Sequence, residues 1–217
     1  MSAQEAERNA PADPSLELMA TLYTLEQLRT HASDLPQIAL AGRSNVGKSS
    51  LVNALARRRK LARVSSEPGK TRSINLFRVI PDGFVLADLP GYGYARRGRE
   101  ERRNWAVLIQ KYLESTPMLR ALVLLIDCRV PMQESDRVMA EFARVRGLPV
   151  VGVLTKADKC SQKERSAQQT AWLPLLGGQE PLPVSSVTRM GMRELWIRLR
   201  EAAGTGILEG TEGGGDA

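Results

Sequence analysis

The chain has 217 residues, 42% of them apolar and 25% charged, and carries a formal net charge of +7. That length suits one domain burying roughly 70% of the surface of its unfolded chain, so no disulfide or metal staple is required. No apolar run approaches the ~18 residues of a membrane helix and no signal peptide opens the chain, which excludes membrane insertion and predicts a cytoplasmic monomer. His31 is the lone histidine, and Cys128 and Cys160 lack metal-ligand spacing, so a His/Cys metal centre is excluded too. The positive balance fits either a polyanionic partner or mere solubility, and charge alone does not choose between them.

Residues 1–14 show no hydrophobic periodicity and are predicted to be disordered, as is the Gly-rich acidic tail. The first predicted strand, QIALA at 37–41, runs into GRSNVGKS at Gly42–Ser49, which matches GxxxxGK[ST] and leads into a helix predicted over 49–59. That order is the context a phosphate-binding loop requires. Gly42 and Gly47 let backbone amides wrap a phosphate, and the helix N-terminus adds positive potential. Lys48 would neutralise the β- and γ-phosphates and Ser49 would bind Mg²⁺.

ARRRKLAR at 56–63 is a basic run, and SSEPGKTRS at 65–73 is a Gly/Pro-punctuated loop. In that loop the Thr71 hydroxyl suits a second Mg²⁺ position and its carbonyl the attacking water, which predicts ordering only with GTP. Strands follow at 73–80 and 83–88, joined by the turn PDG as an antiparallel hairpin. The second ends in DLPGYG, where Asp88 is placed to hold Mg²⁺ and Gly91 leaves its amide free to approach a γ-phosphate. A second basic run, ARRGREERR at 95–103, follows, and the two runs together hold ten basic residues. The second lies on the segment expected to move with nucleotide state, which favours an RNA-facing surface over a solvated face.

A helix is predicted at 99–114, a strand at 121–127, a helix at 134–145 and a strand at 149–155 that closes on TKAD, Thr155–Asp158. A carboxylate accepts hydrogen bonds from guanine N1 and its exocyclic amine, whereas adenine presents an acceptor at N1. Asp158 therefore selects GTP over ATP, with the Lys156 stem covering the base. Helices at 163–173 and 190–202 flank VSS at 184–186, where a short sixth strand would end and Ser185 would offer backbone contacts to the guanine oxygen. Trp105, Trp172 and Trp196 lie on apolar helix faces and are predicted core residues. The pattern is α/β: a P-loop NTPase fold with a mostly parallel six-stranded sheet, one antiparallel strand and helices on both faces.

The strings GRSNVGKSSL, PGKT, DLPGYGYA and TKADK resemble the EngB family (also called YihA or YsxC) of translation-factor-type P-loop GTPases. The resemblance covers about residues 20–203, leaving 1–19 as an extension and 204–217 as a tail. It implies a Ras-like G domain and a GTP-hydrolysing switch needed for assembly of the large ribosomal subunit and for cell division and septation. Its functional positions fall on Gly42, Arg43, Ser44, Asn45, Val46, Gly47, Lys48, Ser49 and Ser50, and on Pro68, Gly69, Lys70 and Thr71. They continue on Asp88, Leu89, Pro90 and Gly91, on Thr155, Lys156, Ala157 and Asp158, and on Val184, Ser185 and Ser186. Lys48, Thr71 and Gly91 take the catalytic roles, and Ser49, Thr71 and Asp88 the metal. Thr155 stands where most GTPases carry Asn, which could loosen guanine binding. Tyr92 stands where Ras-like enzymes carry a water-orienting Gln, so hydrolysis is expected to be slow unless a partner or cation assists. Asn45 is the candidate to hold K⁺ beside the phosphates. The competing class is a GTP-gated binding protein for a division or signalling partner, with incidental hydrolysis and no RNA target.

Overall fold

The computed structural model describes residues 14–30, 33–58, 61–62, 73–93 and 99–205, without the side chains of 99–106. In chain order the elements are β1 (Ser15–Leu22), α1 (Leu25–Thr30), β2 (Gln37–Gly42), α2 (Lys48–Leu55), β3 (Ile74–Ile80), β4 (Phe84–Asp88), α3 (Arg99–Ser115) and β5 (Leu119–Asp127). They continue with α4 (Glu134–Val145), β6 (Val150–Thr155), α5 (Gln162–Trp172), β7 (Leu182–Pro183) and α6 (Met192–Ala203). The strands form one sheet in the order β1-β3-β4-β2-β5-β6-β7. β3 runs antiparallel to both its neighbours, and the other pairings are parallel.

Seven strands replace the six expected, because β1 occupies residues 15–22, the first five of which fall in the stretch that the sequence reads as an N-terminal extension. A bulge between Leu18 and Ala20 hides the strand from periodicity. In an unbroken strand Leu16 and Leu22 would share a face. Here Leu16 packs with one core and Leu22 with the other, while Leu18 and Met19 are 52% and 48% exposed.

Each face of the sheet carries its own core. On one side, Leu51, Val52 and Leu55 of α2 and Leu195, Trp196 and Leu199 of α6 cover Ile38, Leu40, Val123 and Leu125. On the other, Leu108, Ile109, Tyr112 and Leu113 of α3, Ala140 and Ala143 of α4 and Trp172 of α5 cover Ala39, Ala41, Leu122 and Leu124. All of β2 is buried for this reason, which explains its continuous apolar run. The Tyr112 hydroxyl donates to Gln37 Oε1 at 2.7 Å, which satisfies both buried groups. Trp172 and Trp196 are core residues, as expected, and the Trp105 side chain lies outside the described residues.

α2 stops at Leu55 rather than 59, because Arg57 turns left-handed with φ 51°. Two hydrogen bonds between the Asn53 side chain and the Ala62 backbone, at 2.9 and 2.8 Å, secure the turn beyond it. The whole of the first basic run, 56–63, therefore follows the helix in sequence. Among the described residues no helix is long and apolar enough to cross a membrane.

Candidate functional site

The three motif loops meet at the carboxyl ends of β2, β4 and β6, where parallel sheets open toward ligands. The phosphate loop leaves β2 at Gly42, where a Cβ would sit 2.9 Å from Val46 Cγ1 and 3.0 Å from the Leu125 carbonyl oxygen, so the loop closes only over glycine. Asn45 and Gly47 adopt positive φ, 66° and 109°, turning the chain into α2. Val46 is buried, Ser49 half-buried in the first helical turn, and Ser50 exposed. Lys48, only 7% exposed, forms an ion pair with Asp88 at the end of β4, itself 2% exposed. Asn75 Nδ2 lies 3.5 Å from the other Asp88 oxygen.

Asp88–Gly91 runs alongside the phosphate loop. Leu89 N donates to the Leu40 carbonyl at 3.0 Å, Tyr92 N to Gly42 O at 3.1 Å, and Ser44 N to Tyr92 O at 2.8 Å. Leu89 and Pro90 are buried beneath this zipper. A Cβ at Gly91 would lie 3.1 Å from Ser44 Cα and N, so Gly91 touches the loop backbone directly. The Ser44 hydroxyl donates to the Gly91 carbonyl at 3.3 Å. An ammonium drawn to a buried carboxylate, a helix N-terminus and converging backbone amides can together receive a polyanion.

The third loop is tied to the first. The Thr155 hydroxyl, buried at the end of β6, lies 2.7 Å from the Val46 carbonyl oxygen and 3.1 Å from that of Ile126. Thr155 thus makes a cross-link to the phosphate loop with the side chain flagged above as a departure. Lys156, at φ 57°, donates to Asn45 O at 2.6 Å and to Asp127 Oδ2 at 2.8 Å. Asp127 is desolvated, yet hydrogen bonds from Arg129 and Lys156 hold its carboxyl at about 2. Ala157 N donates to Val184 O at 3.1 Å, docking the Asp158 turn on the segment after β7. Ser185 is fully buried; its hydroxyl accepts from Val187 N and Thr188 N at 3.2 and 3.0 Å. That hydroxyl donates to Asp158 and is the main reason this carboxyl titrates low. Ser186 is half-buried beside it.

Pro68, Gly69, Lys70 and Thr71 lie outside the described residues, as do Arg96, Arg97 and the side chains of Arg102 and Arg103. The sequence did not single out Asp127, which anchors Lys156, or Asp136, in the first turn of α4. Asp136 is 4% exposed, and burial lifts its carboxyl from the ordinary 3.8 to about 6, against the opposing pull of Tyr92 and Arg43. A carboxyl that holds its proton more tightly folded than unfolded favours the fold below pH 4, and that contribution disappears as pH rises through 6. Asp136→Asn should therefore gain stability relative to the parent between pH 4 and 7, by about 3 kcal/mol at most. Thermal melts should show a Tm difference that grows with pH, and a constant offset would refute the assignment.

Three loops that gather a phosphate-binding turn, a strand-end Asp-x-x-Gly and a Thr-Lys-x-Asp turn at one end of such a sheet define a P-loop GTPase G domain. A family described as 50S ribosome-binding GTPase matches residues 37–156. The chain is 55% identical over 193 residues to the probable GTP-binding protein EngB of Nitratidesulfovibrio vulgaris, covering 89% of this chain and 88% of that one. It is 57% identical over 190 residues to its counterpart in Oleidesulfovibrio alaskensis, covering 88% and 86%. The chain belongs to the EngB family of GTP-binding proteins. Among solved structures, the fold matches a probable GTP-binding protein EngB with a TM-score of 0.63 at 21% identity, over 77% of this chain and 98% of that one. It also matches Era in complex with MgGDPNP and a segment of 16S ribosomal RNA, with a TM-score of 0.66 at 22% identity, over 79% and 57%.

Proposed function

We propose that this protein is a Mg²⁺-dependent GTPase with slow intrinsic turnover, acting in the cytoplasm as a nucleotide-dependent switch on the large ribosomal subunit or its precursor. The observation that carries the reading is the buried Lys48–Asp88 pair beside a Gly91 that abuts Ser44. That ion pair and that backbone contact, with the hydrogen bonds linking Gly42 and Ser44 to residues 91–92, join the phosphate loop to the segment that would respond to a γ-phosphate. When a triphosphate enters, Lys48 exchanges Asp88 for phosphate oxygens and the Gly91 amide faces the terminal phosphate. Asp158 accepts from the guanine edge, steadied by the Ser185 hydroxyl.

The donors released by that exchange suit magnesium. The Asp88 carboxylate and the Ser49 hydroxyl are hard oxygen ligands flanking the phosphate site, and Thr71 is the third candidate. The ion would neutralise phosphate charge during transfer. Tyr92 is 8% exposed and its phenol is turned into the protein, so it does not orient an attacking water. Slow turnover follows, with faster hydrolysis requiring charge supplied from outside, by a partner or by a potassium ion near Asn45.

The ribosomal assignment is supported by the family's description as ribosome-binding and by the two basic runs, while the link to cell division and septation rests on the resemblance alone. Replacing Arg96, Arg97, Arg102 and Arg103 with Glu should reduce co-sedimentation with ribosomal particles about tenfold or more at physiological salt, with GTP binding nearly intact. Unchanged sedimentation would remove the RNA reading and favour a protein partner in division or signalling.

A further inference from the structure

Behind the zipper that joins Tyr92 to the phosphate loop, three elements each contribute a polar side-chain atom to one small buried region. They are Arg43 Nε from the phosphate loop, Tyr92 Oη from the segment after β4, and Asp136 Oδ1 from the first turn of α4. Each is buried and none meets a partner at full hydrogen-bond geometry among the described residues, although the Tyr92 phenol and the Asp136 carboxyl face each other. Tyr92 is 8% exposed and Asp136 4%. The phenol faces the Asp136 carboxyl closely enough to change its proton affinity, and its own affinity is raised first by burial and then by Asp136. Gly93 threads between the two walls: a Cβ there would lie 3.4 Å from Arg43 Nε and 3.5 Å from Ser135 Oγ.

Three polar atoms that converge without a full partner among the described residues are unusual in a protein interior, because each carries a desolvation penalty until it is paired. Their pairing depends on where residues 91–93 lie, since Tyr92 carries one of the three atoms and Gly93 lies against another, Arg43 Nε. These residues also set the position of Gly91, since Tyr92 is the next residue and its backbone is bonded to Gly42 and Ser44. Resting on the GTP-switch reading above, we propose that Tyr92 is a positioning residue: its phenol, held by Asp136 and flanked by Arg43, anchors the segment carrying the Gly91 amide and so favours the triphosphate-bound arrangement over the diphosphate-bound one. The side chain that cannot orient water instead sets where the backbone amide sits. Asp136, far along the chain, connects α4 to nucleotide state through the same contact.

The test is titration of the full chain with GDP and with a non-hydrolysable GTP analogue. Tyr92→Phe and Asp136→Leu should each lower the ratio of analogue affinity to GDP affinity about fivefold, the effect of one hydrogen bond, while GDP affinity stays within about twofold of the parent. Asp136→Asn keeps an accepting oxygen and should retain the parent ratio. Tyr92→Phe/Asp136→Leu should lose no more than either single variant, because the two act through one contact. Equal weakening of both nucleotides would mean a merely structural role, and an unchanged ratio in Tyr92→Phe would remove the anchor; either result overturns the proposal. A parent protein that binds neither nucleotide would overturn the GTP-switch reading itself, and this proposal with it.

Discussion

Asp158→Asn is expected to lower GTP affinity by about 3–4 kcal/mol, a loss of ~10²–10³-fold, because two hydrogen bonds to a charged acceptor are at stake. The amide that replaces one carboxylate oxygen presents a donor to a guanine edge that itself donates. Xanthine carries an oxygen where guanine carries its amine, so xanthosine triphosphate should bind the variant better than GTP does. The fold should be little affected, since an Asn oxygen still accepts from the Ser185 hydroxyl that steadies the aspartate. Calorimetric titration of parent and variant with both nucleotides checks this. Full retention of GTP affinity would mean that the base is read elsewhere.

Lys48→Ala should do two separable things. Removing the ammonium abolishes measurable nucleotide binding, and it also leaves Asp88, 2% exposed, as a buried charge with Asn75 Nδ2 3.5 Å away. Breaking a buried pair from one side destabilises by on the order of 3–5 kcal/mol. Replacing both members with Ala should restore most of that stability, because no uncompensated charge remains, while nucleotide binding stays lost. Denaturant melts alongside nucleotide titration separate the two effects. If the double replacement is no more stable than Lys48→Ala, the pair is not the source of the loss.

The motifs were legible because each is a short run whose chemistry depends on spacing along the chain. Lys48, Asp88 and Asp158 stand out in their loops by residue type and spacing, and the structure brings those loops together at one end of the sheet. β1 was harder to read because its bulge turns Leu16 and Leu22 to opposite faces, cancelling the alternation that marks a strand. Asp136 was invisible for a different reason. In sequence it is one more acidic residue in the first turn of a helix, an ordinary solvent-facing position. Only the packing of α4 against Tyr92 and Arg43 makes it buried, and no local pattern encodes that contact. Thr155 read as a weakened Asn because residue type was compared with the commoner pattern. Its hydroxyl nonetheless reaches the Val46 carbonyl at 2.7 Å.

That hydroxyl and the Lys156 ammonium, 2.6 Å from the Asn45 carbonyl, fix the distance between the base-reading and phosphate-gripping loops. A guanine nucleotide is in effect a bivalent ligand, with base and phosphates joined by a short tether. Once one end is seated, the other meets its loop at high effective concentration, provided the span of the tether matches the separation of the loops. An end that lets go is recaptured before its companion departs. On the proposed reading, the residence time of the nucleotide, and with it the lifetime of either signalling state, would depend on these two cross-links between loops as well as on contacts with the ligand.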